Sequence, residues 1–84
     1  MVKNEFELMA MIKKNEQLME HLNLFNFEFE INEEASKIYL KRFDDIKLII
    51  KCNYYSYDIN MGSCYLFGLD ENDVIFILLH YSIS

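Results

Sequence analysis

The chain has 84 residues, 52% of them apolar, with seven Phe and six Tyr, and its eight Lys and Arg against 14 Asp and Glu leave a net charge of −6. Two Gly and no Pro exclude collagen-like and linker classes, and so apolar a chain is not intrinsically disordered. The length predicts a single domain over residues 1–84.

Glu5 and Glu7 interrupt the apolar core that a secretory signal would need. The longest apolar run, Val74–Leu79, has six residues, against the roughly 20 a membrane helix requires. A cytoplasmic location with no membrane contact is expected. Cys52 and Cys64 are too few for a disulfide framework and are expected as free, buried thiols. A bridge between them would need them opposite each other on neighbouring strands. Ile, Asn and Lys supply 25 residues, and their A/T-rich codons suit a bacterial, phage or viral genome.

In chain order, the first element is a helix over about residues 5–22. Asn4 can cap it while Glu7 reaches back. At 100° per residue, Leu8, Met11, Ile12, Asn15, Leu18, Met19 and Leu22 share one arc of about 120°. Lys13, Lys14, Glu16, Gln17 and Glu20 take the other side, and Asn23 is a plausible left-handed stop. Asn15 in the apolar stripe either sets the register of a helix pair or satisfies a nearby backbone group. The second is favoured, since a helix of about five turns is short for a coiled coil.

The period then changes to two. Phe25, Phe27, Phe29 and Ile31 alternate with Asn26, Glu28, Glu30 and Asn32, giving a strand over 24–32 with one apolar and one acidic face. Further strands are expected at 37–43, at 46–58 (long enough to bend around Asn53) and at 64–69. A fifth is expected at 74–83, where β-branched and aromatic residues tip a continuous apolar run towards strand.

The predicted class is α+β: an N-terminal helix packed on a curved, four- to five-stranded antiparallel meander. This order of elements also resembles small SH3/Sm-like barrels, whose glycine-marked motifs are missing here. Because Val74–Leu79 is apolar at both parities, a second chain or a closed sheet is expected to cover its second face, and a homodimer is the leading expectation.

Charge is unevenly placed. Residues 1–36 carry −5, residues 37–51 carry +3, and residues 52–84 carry −4. Lys37, Lys41, Arg42, Lys47 and Lys51 therefore form a basic hairpin in an acidic body, with Tyr39 inside it and a Tyr54, Tyr55, Tyr57 cluster just beyond. Cations interleaved with aromatics can bind single-stranded nucleic acid, though five in an acidic chain are a weak footprint. Tyrosine clusters equally suit protein contact. Glu28, Glu30, Glu33 and Glu34 form one acidic group, and Asp70, Glu71 and Asp73 another. Rows of carboxylates can occupy the nucleic-acid groove of another protein in place of phosphates.

Catalytic motifs are sparse. The segment 70–73 superficially resembles a calcium loop but lacks the central Gly, and Tyr81 stands where the bidentate Glu belongs. It reads as a solvated acidic turn. No metal or cofactor is expected, and Gly62 and Gly68 are too isolated for a phosphate loop. Cys52 or Cys64 with His80 is the one conceivable thiol–imidazole pair, which makes a small enzyme the third-ranked reading.

The leading expectation is a non-enzymatic, macromolecule-binding protein that works by protein–protein contact, such as a small acidic phage-type inhibitor of a host defence complex. Its candidate contact residues are Glu28, Glu30, Glu33, Glu34, Tyr54, Tyr55, Tyr57, Asp70, Glu71 and Asp73. The alternative is a nucleic-acid-binding module using the basic 37–51 hairpin.

Overall fold

The computed structural model describes residues 4–83, so the ends of the expected domain, residues 1–3 and 84, lie outside the described residues. The elements run α1 (Glu5–Lys14), α2 (Glu16–Leu24), β1 (Phe27–Asn32), β2 (Lys37–Arg42), β3 (Asp45–Cys52), β4 (Tyr57–Asn60), β5 (Tyr65–Leu69) and α3 (Glu71–Ile83). The strands form one open antiparallel sheet in the order β1-β2-β3-β4-β5. The fold is α+β, as expected, and the sheet does not close into a barrel.

The N-terminal helix is two helices. Asn4 caps α1 by accepting the Glu7 N–H at 2.8 Å. Asn15 leaves the helical region at φ −85°, ψ 95°, and its side chain accepts the Leu18 N–H at 3.0 Å. One residue thus ends α1 and caps α2, satisfying an orphan amide. The break keeps most of the apolar stripe: Leu8, Ile12, Leu18 and Leu22 are buried, whereas Met11 is exposed and Met9 is buried instead. The second helix runs on past Asn23 to Leu24, and Asn26 takes the left-handed conformation, at φ 63°.

The first strand begins at Phe27, later than expected, because α2 uses the preceding residues. The long third strand is β3 and β4 separated by the loop 53–56, in which Asn53 N–H donates to the Ser56 carbonyl at 2.8 Å. Between β2 and β3, Phe43 and Asp44 both have positive φ, at 51° and 67°, as a two-residue hairpin of primed type requires.

The expected fifth strand is helix α3. Asp70 accepts the Asp73 N–H at 2.9 Å, and Asp73 accepts the Asp70 N–H at 3.1 Å. That reciprocal box satisfies two donors at the start of the helix. The acidic 70–73 segment is therefore a cap rather than a solvated turn, and it starts a helix where β propensity alone pointed to a strand.

By strand alternation, Phe27, Phe29, Ile38, Leu40, Leu48, Ile50, Cys52, Tyr57 and Ile59 face one way. Helices α1, α2 and α3 cover that side, with Val74 and Leu78 of α3 fully buried in the same cluster. Among the described residues, no helix lies over the other side of the sheet.

Candidate functional site

The meander fixes where the connections fall. The β1–β2 turn, the β3–β4 loop and the β5–α3 junction all lie at one end of the sheet, and the β2–β3 and β4–β5 turns lie at the other. The first end collects Glu33 and Glu34, Tyr54 and Tyr55, and Asp70, Glu71 and Asp73. Three segments far apart in sequence thus place seven of the ten candidate contact residues along one end of the sheet.

Local bonds hold these segments in place. Asn32 accepts the Ala35 N–H at 3.1 Å, which shapes the Glu33–Glu34 turn, and the Cys52 N–H donates to the Ser36 carbonyl at 2.8 Å, joining that turn to β3. Asp58 uses both carboxylate oxygens. One accepts from Asn53 Nδ2 at 2.8 Å and the other from the Gly68 N–H at 3.0 Å. This fastens the loop carrying Tyr54 and Tyr55 to β5. The two tyrosine rings meet edge to face at 4.5 Å and are 60% and 77% exposed.

Tyr57 does not belong to this surface. Alternation turns it inward, where it is fully buried. Burial raises its pKa, and the charges of Glu71, Cys52 and Glu7 add to the rise. Glu28 and Glu30 lie elsewhere too, on the open face at the β1 edge, where Glu30 meets Lys41 at 3.7 Å.

The expected basic hairpin is split. Lys37, Lys41 and Lys51 lie on the open face, but Glu28, Glu30 and Asp58 lie there with them, so the six charges cancel. Arg42 lies on the helix side of the far end with its guanidinium 5.3 Å from the Phe27 ring centre, and 5.5 Å from that of Phe43. The register slips between Leu40 and Lys41, so Lys47 pairs with no β2 residue and joins Arg42, Phe27 and Tyr81 around a hollow of about 240 Å³. Sequence spacing alone could not reveal that bulge.

The thiols are both free, but only Cys52 is buried; Cys64 is exposed, contrary to expectation. Burial, with the Glu5 carboxylate adding, pushes the Cys52 thiol up to about 12. That is opposite to the shift an activated thiolate needs. Cys52 ends β3 at the acidic end, whereas His80 is near the C-terminus of α3, its ring tilted against Phe76 with centres 4.3 Å apart. The next residue, Tyr81, donates to the Lys47 carbonyl at 3.4 Å, which places this part of α3 by the β2–β3 bulge. Among the described residues, no three of His, Cys, Asp and Glu are grouped to hold a metal ion, and no helix is long and apolar enough to cross a membrane.

Fold and surface together define an α+β protein with a helix-covered sheet, an open charge-balanced face and an end rich in carboxylates and exposed tyrosines. Comparison with protein-family models, curated proteins and solved structures found no match.

Proposed function

We propose that the chain is a non-enzymatic binding protein that acts by protein–protein contact, with the acidic, tyrosine-bearing end of the sheet as its contact surface. The alignment of Glu33, Glu34, Tyr54, Tyr55, Asp70 and Asp73, from three connections, along one end of the sheet carries this reading. Tyrosines supply contact area at low entropic cost, and carboxylates supply complementarity to a cationic partner. The finer form of the proposal is a phage-type inhibitor of a host defence complex, whose carboxylates stand where phosphates would lie in a nucleic-acid groove.

Affinity capture from a native host lysate tests the proposal. Glu33→Lys/Glu34→Lys and, separately, Tyr54→Ala/Tyr55→Ala should each reduce recovery of the captured protein at least about tenfold with the fold intact. Unchanged recovery of the same protein by both variants would rule this surface out.

A second reading has its own observation. The uncovered face carries Tyr65 stacked on Phe67 at 4.4 Å, together with three lysines. Stacking platforms with cations bind single strands. Here the lysines are balanced by three acids on the same face, so this reading ranks second. Oligonucleotide anisotropy at low salt, for the parent and Lys41→Glu/Lys51→Glu, separates the two.

A further inference from the structure

The two edges of the sheet differ. Edge strand β1 alternates Glu28 and Glu30 with Phe29 and Ile31, and charge on an edge discourages strand addition. The other edge, β5, has no charged guard, since residues 59–69 contain no charged side chain; its one irregularity is the slip in register at Gly68, towards its C-terminal end. Both of its faces are apolar. Tyr65 and Phe67 stack on the open side, while Leu66 borders a hollow of about 270 Å³ with Met61, Phe76 and Ile77 on the helix side. A strand with apolar groups on both faces matches the interior of a sheet better than its rim.

The backbone is set for pairing. The Met61 N–H donates to the Cys64 carbonyl at 2.9 Å, which makes these two a bonded pair across the turn. Antiparallel alternation then turns the N–H and C=O groups of Leu66 towards β4, and those of Tyr65 and Phe67 outward. The register slips just beyond, opposite Asp58, where Gly68 takes φ 65° and gives its N–H to the Asp58 carboxylate. Helix α3 adds to the surplus, because residues 74–79 are apolar all round it and Phe76 is on its outer side.

We propose that β5 is a homodimer edge, pairing antiparallel with β5 of a second copy to make one continuous ten-stranded sheet. Two observations favour a second copy over other occupants. Tyr65, Phe67 and Phe76 are 47%, 70% and 61% exposed. At about 200 Å² per ring residue, they leave about 350 Å² of aromatic surface in water. That is nearly half of the ~800 Å² each partner contributes to a standard interface. Charge is the second: residues 59–69 offer no side-chain charge for a cationic or anionic partner to complement, and a two-fold axis beside them keeps the acids of two −6 chains off the new strand pair. This inference is independent of the proposed partner surface at the acidic end, because its test reads mass and amide protection rather than capture.

Sedimentation equilibrium from micromolar to hundred-micromolar concentration should give twice the 10.1 kDa chain mass. Phe67→Lys, on an exposed face, should keep the far-ultraviolet spectrum and weaken the dimer at least about a hundredfold, since a two-fold interface counts the change twice. Phe43→Lys, an equally exposed aromatic away from β5, should leave the mass unchanged. Hydrogen exchange should show the Tyr65 and Phe67 amides gaining protection with concentration. A parent that stays at 10.1 kDa, a Phe67→Lys dimer as tight as the parent, or exchange at these amides that ignores concentration would each overturn the proposal.

Discussion

The two faces of the sheet are made by alternate residues of the same strands, yet they have different tasks. In β3, Leu48, Ile50 and Cys52 are buried under three helices, while Ile49 and Lys51, one step along, face outward among Tyr39, Asp58 and Asn60. The inner face is one contiguous apolar cluster. The outer face balances three lysines against three acids and carries no helix. Stability therefore resides on one side, leaving the open face, the loop end and the β5 edge free for contact.

The sharpest way to break this comparison uses the two thiols. With Cys52 pushed from 9.0 to about 12, its thiolate fraction at pH 8 should be about a thousandfold below that of an ordinary thiol. A disulfide reagent added to the folded protein should modify one cysteine, Cys64, at once, and the second only on unfolding. Equal rates would contradict the burial of β3's inner face. The same group gives a pH dependence. Between pH 9 and 12 the unfolded chain loses a proton that folded Cys52 keeps, so stability present below pH 9 is lost as pH rises through that window. Cys52→Val should flatten the fall.

Adjacent positions on β3 give the next largest effect. Ile50→Ala should cost about 2–5 kcal/mol in urea unfolding, as buried large-to-small changes do. Ile49→Ala, on the open face, should cost less than about 1 kcal/mol. Equal costs would mean that both faces are covered. The smallest effect belongs to the open face's own ion pair. Lys41→Ala breaks a 3.7 Å contact with an exposed Glu30, and it should shift stability by no more than about 1 kcal/mol.

The α+β class, and the succession of an N-terminal helical stretch and an antiparallel meander, were legible because period carries that information. The change from a 3.6-residue stripe to strict alternation marks the passage from helix to sheet, although the alternation begins at Phe25 in the sequence and the strand only at Phe27. Asn15 was harder. Its place in the stripe was visible, but a helix break that preserves the stripe leaves no trace in periodicity. Helix α3 was misread because Val74–Leu79 is apolar at every spacing. The decisive signal was the Asp70–Asp73 pair, whose spacing fits a capping box as well as an acidic turn.

Site legibility followed the same physics. The Glu33–Glu34 turn and the Asp70–Asp73 group could be named from sequence, but their meeting at one end depends on strand order and on the loop that divides β3 from β4. Tyr57 was separated from Tyr54 and Tyr55 by that same loop, which restarts the alternation and turns it inward. The basic hairpin was undone by a bulge at Lys47, a one-residue slip that no charge count detects.

Competition measures the central claim most directly. If the acidic end stands in for phosphates on a cationic groove, duplex DNA added at constant ionic strength should displace the captured partner from the immobilised chain. Glu33→Lys/Glu34→Lys should fail to hold that partner even without DNA. A partner that stays bound at saturating DNA, and binds the charge-reversed chain equally well, would contradict the account.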